Sequence, residues 1–364
     1  MYPKLQISLK GIENNSRVVS ELCKNQGIAI TGVVKSSNSY EESYIPIAKA
    51  MKKGGIESLG DSRMKTIMRM RELGYKGEIM LIRIPMISEL EDLVRYADCS
   101  LNSERKTLEL LNQEALKQRK SHGVVLMVDL GDLREGIEEE EELMETARLC
   151  EEMEGLELLG IGTNLGCYGA IVPDEKNLGR LVELAEKIEA MIGRRLKIIS
   201  GGATSTLPLI VEGRCPERIN HLRVGEGILV GRDIAEIWQV DIPGIRKDNY
   251  IIQAQVIELK EKFSHPLGRI FVDAFGKTPT YEDRGRRKRA LVALGKRDVG
   301  DLDGLTPLIE GVEVMGGSSD HGILDIEDAK EEINLGDILS FNLYYGAMMN
   351  SIESCSVSIE YRED

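Results

Sequence analysis

No stretch of this 364-residue chain is apolar for long enough to cross a bilayer; none approaches the roughly 20 residues that a membrane-spanning helix needs. The chain does not open like a secreted protein either, because Met1-Tyr2-Pro3-Lys4 leads straight into patterned sequence with no signal peptide. A cytoplasmic setting is the expectation. Cysteine is sparse, with Cys23, Cys99, Cys150, Cys167, Cys215 and Cys355 scattered and no CxxC pair. That argues against a disulfide framework or a zinc site and for reduced thiols. Histidine is scarcer still, four residues with no metal-ligand spacing, so no metal centre is expected. Positive charge is also short. Lys and Arg number 47 against 61 Asp and Glu, a formal net charge of −14. This disfavours non-specific nucleic-acid binding and an anionic membrane surface as partners. Internal repeats and low-complexity tracts are absent.

What remains is an ordinary globular composition, 42% hydrophobic and 30% charged, at a length that suits one large α/β domain and a smaller second one. Through residue 232, short apolar runs alternate with amphipathic helical patterns. The runs are Ile30–Val34, Ser58–Gly60, Ile79–Ile84, Cys99–Leu101, Val124–Leu130, Leu156–Thr163, Lys197–Ser200 and Leu222–Val230. Helical patterns such as Met64–Leu73, Glu104–Lys117, Glu140–Glu154 and Leu178–Ile192 lie between them, with Leu181, Leu184, Ala185 and Ile188 spaced to line one face. Eight strands, each followed by a helix or helical turn, predict a (β/α)8 TIM barrel over residues 9–238. The acidic run Glu138–Glu142 reads as the solvated start of a helix.

After Trp238 the pattern changes. Helices nearly vanish, and short β runs appear at Ile251–Glu258, Ile270–Val272, Ala290–Leu294, Gly311–Met315, Ile338–Leu343 and Ser354–Ile359. Residues 239–364 therefore predict an all-β C-terminal domain. Leu5-Gln6-Ile7-Ser8 could lend a strand to either domain, and residues 1–8 are assigned to the second.

Lys35 ends the first barrel run, Ile30-Thr31-Gly32-Val33-Val34. Read alone, it could simply snorkel to water. Burial would instead favour its neutral amine, the form that Schiff-base chemistry needs. Reactive groups of such barrels sit at the C-terminal ends of strands, and phosphates commonly bind after strands seven and eight. Strand seven ends in Ser200-Gly201-Gly202-Ala203-Thr204-Ser205-Thr206, and strand eight carries Arg223-Val224-Gly225-Glu226-Gly227. Glycines, hydroxyls and helix N-termini at both places make an anion cradle. The glycine spacing is not that of a dinucleotide fingerprint. Arg134, beyond strand five, is either a fork for a carboxylate or the surface partner of Asp132 or Glu135. Asn164 ends strand six and should face the barrel mouth. A lysine, a phosphate cradle and an arginine at these places together suggest pyridoxal 5'-phosphate.

These motifs resemble those of the fold-type III pyridoxal-phosphate enzymes, the alanine racemase superfamily, and within it the ornithine racemase branch. The similarity rests on Val33-Val34-Lys35-Ser36, Met127-Val128-Asp129-Leu130-Gly131-Asp132-Leu133-Arg134-Glu135-Gly136, Gly160–Gly169, Ser200-Gly201-Gly202, Leu222–Glu226, Val272–Gly276 and Ser318-Ser319-Asp320-His321. It implies racemisation of an amino acid, ornithine or lysine, by a head-to-tail homodimer. Lys35 would hold the cofactor as an internal aldimine and then act as one proton-transfer base at Cα. Arg223 would face the pyridine nitrogen, and Thr204, Ser205, Gly225 and Glu226 would hold the phosphate with Tyr345. Arg134 would orient the substrate carboxylate or the cofactor phenolate.

The chain departs from alanine racemases at the second base, with no tyrosine in the matching region around residues 258–266. His321, Tyr281 and His265 are the candidates, in that order. Asn164 replaces a ring-stacking histidine, and Tyr40 stands one place later than the tyrosine those enzymes carry after the lysine. A distal ammonium of the substrate would need Asp320, Glu282 or Asp283. The competing expectations are a D-amino-acid lyase or aldolase, a non-catalytic pyridoxal-phosphate carrier, and a barrel without cofactor.

Overall fold

A computed structural model describes residues 1–34 and 44–362; Lys35 and Tyr40 fall outside the described residues. The chain divides into two compact units, residues 10–246 and residues 1–9 with 247–364.

The larger unit is a closed parallel barrel. Its strands are β2 (Ala29–Val33), β3 (Ser58–Asp61), β4 (Glu78–Leu81), β5 (Cys99–Asn102), β6 (His122–Met127), β7 (Leu156–Gly162), β8 (Ile198–Ser200) and β9 (His221–Val224); β1 (Lys4–Ser8) precedes them in the other unit. Pairing of β2 with β9, Ala29 to His221 and Gly32 to Val224, closes the ring. Helices α1 (Leu9–Lys24), α2 (Tyr44–Lys53), α3 (Met64–Glu72), α4 (Leu90–Tyr96), α5 (Arg105–Lys117), α6 (Glu140–Glu152), α7 (Glu175–Ile192), α8 (Leu207–Val211), α9 (Glu226–Leu229) and α10 (Arg232–Glu236) alternate with the strands. All eight predicted strands are present. The predicted last run ends early, at Val224, because Gly225 breaks the strand and residues 226–229 coil into α9.

Helix α7 shows how local sequence builds a layer. The Asp174 carboxylate accepts from the Asn177 backbone N–H at 2.7 Å, and the Asn177 side chain accepts from Asp174 N–H at 2.9 Å, so two otherwise orphaned donors are satisfied. Gly193 ends the helix at φ 75°, a left-handed conformation that glycine adopts without strain. Leu178, Leu181, Leu184 and Ile188 are buried between these caps, each contributing about 1.5–3 kcal/mol. The acidic run 138–142 opens α6 as expected, with Glu138, Glu139, Glu141 and Glu142 exposed, while Glu140 also bridges Arg180 and Lys187 of α7, each at 2.5 Å.

Residues paired across parallel strands share a face, so the register sorts the barrel interior into halves. One half is apolar, built on Met80, Cys99, Leu101, Val125 and Met127 with Leu159 and Ile198 against them. The other half follows from the pairs Thr31–Ser58, Thr31–Arg223 and Ser200–His221 and is polar.

The second unit is an eight-stranded, mostly antiparallel sheet. It contains β10 (Tyr250–Phe263), β11 (Arg286–Val292), β12 (Leu305–Pro307), β13 (Glu313–Gly317), β14 (Gly322–Asp325), β15 (Ile338–Leu343) and β16 (Ser358–Arg362), with helices α11 (Lys296–Val299) and α12 (Tyr345–Glu353). The order is β12-β15-β10-β11-β14-β13, and β1 pairs antiparallel with β10 and parallel with β16. Three expectations are corrected. Ile270–Val272 forms no strand and stands exposed, with Phe271 at 71%. Gly322–Asp325 is a strand, and Tyr345–Glu353 is a helix. Gly346, Asn350 and Ser351 are weak helix formers, but Ala347, Met348, Ser351 and Ile352 bury one face, and tertiary packing outweighs propensity.

Candidate active site

The polar half of the barrel converges on Arg223. This side chain is 4% exposed on β9, among the C-terminal strand ends. Its Nη1 donates to Ser200 Oγ, and its Nη2 donates to the Thr163 carbonyl at 2.7 Å and to Asn164 Oδ1 at 3.1 Å. An arginine fork can span three acceptors in this way, whereas a lysine ammonium is a point charge. Gly162 leaves the room: a Cβ there would stand 3.0 Å from Ser200 Cβ and 3.4 Å from Arg223 Nη1. Desolvation pulls the guanidinium down to about 10 while the Glu135 carboxylate opposes the shift. It remains a cation at neutral pH.

Because Arg223 only donates, the Asn164 oxygen must face it. The amide nitrogen then donates to Glu135 Oε1 at 2.7 Å. Glu135 in turn pairs with Arg134, whose Nη2 lies 2.5 Å from Oε1 and whose Nε contacts Oε2; Arg134 Nη1 lies 3.1 Å from Cys167 Sγ. Arg134 stands in a salt bridge with Glu135. An amide thus links a buried cation to an ion pair at the strand ends.

The loop presenting Arg134 and Glu135 is closed at its base, where Val128 and Ile137 form a bridge. Asp129 Oδ1 accepts from the N–H groups of Gly131 and Leu133, and Leu133 takes φ 55°. Asp132 is buried and accepts from the N–H groups of Cys167 (3.3 Å), Tyr168 (3.0 Å) and Ile171 (3.4 Å), so it ties the loop after β7 in place. Asp132→Ala would leave those donors without their acceptor. We expect a loss of about 1–3 kcal/mol in thermal unfolding, with faster proteolytic nicking at residues 166–171.

Below the cradle, Gly202 has φ 109° and leads into the turn Thr204–Thr206. The first N–H groups of such a turn have no intrahelical acceptor. Thr204 Oγ1 accepts from Gly227 N–H at 3.1 Å, and Ser205 Oγ donates to the Leu165 carbonyl at 2.7 Å. These hydroxyls hold the turns together. A Cβ on Gly225 would lie 2.9 Å from Val33 Cβ, so the Gly225 backbone packs directly on the Val33 side chain. Trp238 Nε1 donates to Glu226 Oε1 at 3.2 Å.

Arg134, Asn164, Thr204, Ser205, Arg223, Gly225 and Glu226 all belong to the barrel unit; Tyr281, Asp320, His321 and Tyr345 belong to the smaller, sheet-based unit. His321 Nδ1 lies 3.4 Å from Ser318 Oγ, and Asp320 sits 2.5 Å from Ser319 Oγ and 3.6 Å from Arg297. Tyr281 meets His265 edge-on at 6.2 Å. Glu282 pairs with Arg284 at 2.9 Å, and Asp283 accepts from Gly285 N–H at 3.0 Å. Among the described residues, no three His, Cys, Asp or Glu side chains gather as metal ligands, and no helix is long and apolar enough to cross a membrane. Sequence reasoning missed the bridging role of Glu135, the anchoring role of Asp132, the Ser200 hydroxyl as acceptor for Arg223, and His221. The last had a signal available, because a residue two before Arg223 on a strand shares its face.

Residues 7–233 match the family model described as alanine racemase, N-terminal domain. The chain is 42% identical over 354 residues to an ornithine racemase from Acetoanaerobium sticklandii, covering 97% of this chain and 98% of that protein. It is 38% identical over 361 residues to a lysine racemase from Thermotoga maritima, covering 99% of each. Among solved structures, alanine racemase from Streptomyces coelicolor A3(2) superposes with a TM-score of 0.74 at 19% identity, over 99% of this chain and 98% of that one. D-Threonine aldolase from Filomicrobium marinum does so at 0.71 and 16% identity, over 96% and 89%; these two likenesses speak to the fold alone. By sequence and by architecture, the chain belongs to the alanine racemase family.

Proposed function

We propose that this chain is an amino-acid racemase that uses pyridoxal 5'-phosphate and acts on ornithine or lysine. The observation that carries the cofactor assignment is Arg223: a buried cation with a fixed fork, at the strand ends and beside glycine turns whose N–H groups suit a phosphate. The end-to-end relatives named for ornithine and lysine support the substrate class. When bound, the cofactor supplies a ring that draws electrons from the substrate and acidifies its Cα–H.

Lys35 is the attachment point and one proton-transfer base, an assignment that rests on its sequence motif. Arg223 would lie opposite the ring nitrogen and, as a permanent cation, would disfavour protonating it. The N–H groups of Thr204, Ser205, Gly225 and Glu226 hold the phosphate, with the Tyr345 hydroxyl as a further donor. Arg134 binds the substrate carboxylate by exchanging a partner, Cys167 or Glu135. Asp320, or in its place Glu282 or Asp283, meets the distal ammonium. His321, then Tyr281, then His265 is the base on the opposite face.

The active form in this reading is a head-to-tail homodimer. An exposed apolar stretch supports it, with Leu267 at 83% and Phe271 at 71%, followed by Val272 and Phe275; patches of this kind mark docking surfaces. The six free cysteines suit a reducing, cytoplasmic setting.

The test is deuterium incorporation at Cα, followed by NMR in D2O on L- and D-ornithine, lysine and alanine. Exchange with inversion, fastest on ornithine or lysine, is the expected result. A protein that binds the cofactor and exchanges none of them would overturn the reading in favour of a carrier or lyase.

A further inference from the structure

The polar half of the barrel holds a chain of hydrogen bonds that the chemistry above does not use. Ser200 Oγ lies 2.9 Å from His221 Nδ1, His221 Nε2 lies 2.9 Å from Thr31 Oγ1, and Thr31 donates to Ser58 Oγ at 3.1 Å. Ser200, His221 and Thr31 are buried, so no bulk water competes for these contacts.

The direction of the chain follows from its first member. A guanidinium only donates, so Ser200 Oγ accepts from Arg223 Nη1. The Ser200 hydrogen then has His221 Nδ1 as its acceptor, and that nitrogen must be bare. The ring proton therefore sits on Nε2 and is given to Thr31, whose own hydrogen passes to Ser58. The opposite tautomer would have Ser200 accepting from both sides, with its hydroxyl hydrogen buried and unpaired, at a cost of about 1–3 kcal/mol. Burial, with Arg223 nearby, pushes the His221 imidazolium down to about 3, so the ring stays neutral.

We propose that His221 is a positioning residue for the racemase: held as the Nε2–H tautomer, it fixes the Ser200 hydroxyl as an acceptor and thereby sets the angle of the Arg223 fork. Every donor in the chain points away from Arg223, and aligned hydrogen bonds strengthen one another in a dry interior. The functional part rests on the cofactor reading above, whereas the tautomer does not. The Nη1 edge is committed to one direction, which leaves the guanidinium no freedom to rock when a ring nitrogen sits opposite.

The first experiment is long-range proton–nitrogen correlation NMR on the histidine rings of the wild-type protein without cofactor, with His221 assigned by its loss in a His221→Gln sample. The expected pattern is a single neutral Nε2–H ring, unchanged between about pH 5 and 8, the range in which an ordinary histidine titrates. An Nδ1–H ring, or one that titrates there, overturns the proposal even if the protein racemises. The second is a pair of substitutions in the holoenzyme. His221→Gln can accept from Ser200 and donate to Thr31 with its one amide, whereas His221→Leu can do neither. His221→Leu is expected to lose about tenfold in kcat, the scale of a sub-ångström misplacement, with KM nearly unchanged and an altered cofactor absorption band. His221→Gln is expected to recover most of that loss. Equal losses in the two variants would mark a packing role and overturn the proposal. If neither variant folds, sequential backbone-to-side-chain assignment of the wild-type protein identifies the His221 ring, and its tautomer still decides.

Discussion

Lys35→Ala is expected to abolish both the visible absorption of the cofactor and hydrogen exchange at Cα. Two losses combine in this one substitution. The amine that would join the cofactor covalently is gone, so binding falls back on the phosphate turns and Arg223. The proton-transfer group on one face of the substrate is gone as well, and a positioned general base alone contributes about 10²- to 10⁴-fold. The motif sits where reactive groups of such barrels belong, directly after β2, whose buried continuation Val34 donates its N–H to the Gly60 carbonyl at 3.0 Å. The check is an absorbance spectrum of the purified variant beside wild type, exchange measured in D2O, and circular dichroism to show that the fold survives. An added primary amine should restore some exchange, because it replaces the missing group chemically. A variant that keeps the band and the exchange would move the assignment off Lys35.

The barrel was legible because its strands are buried on both faces. Parallel strands of this kind read as continuous apolar, β-branched runs with helices between them, and runs such as Ser58–Gly60 and Cys99–Leu101 fall within one residue of β3 and β5. The strand ends were legible for the same reason, since counting strands places Asn164, Thr204, Arg223 and Gly225 at the mouth. The second unit was harder. β14 is four residues long and follows the turn-rich Ser318-Ser319-Asp320-His321, while Ile270–Val272 has the composition of a strand but no neighbour to pair with. Composition carries no information about which edge is available.

The partners across the barrel were least legible of all. Thr31 and His221 are 190 positions apart, and only the closing pair β2–β9 brings them together. Glu135 looked like an ordinary surface partner for Arg134. Its bridge through Asn164 to Arg223 depends on a loop closed at Val128–Ile137 and tied down by Asp132. Both are matters of register and loop closure, which depend on contacts distant in sequence.

Arg223→Met is expected to damage stability and chemistry together, by different physics. Removing the guanidinium takes the donor from the buried Thr163 carbonyl and Ser200 Oγ and from the half-buried Asn164 Oδ1, and each buried acceptor left unmet costs about 1–3 kcal/mol. The melting temperature should fall clearly. Among the molecules that remain folded, the ring nitrogen would face a thioether instead of a cation and could take a proton. The ring would then withdraw electrons more strongly, which weakens the bias toward returning the proton to Cα. Racemisation should slow, and conversion of the amino acid to its keto acid should rise, with the amino group left on the cofactor, so that keto acid appears up to the amount of bound cofactor. NMR of the products reads both at once. Arg223→Lys separates charge from geometry: an ammonium can keep the positive charge but cannot hold all three acceptors in the arrangement a planar fork allows. We expect it to suppress keto-acid formation as wild type does while losing about 10- to 100-fold in exchange rate through misplacement. If Lys and Met behave alike, the fork matters only as structure, and the cation has no part in keeping the reaction on the racemisation path.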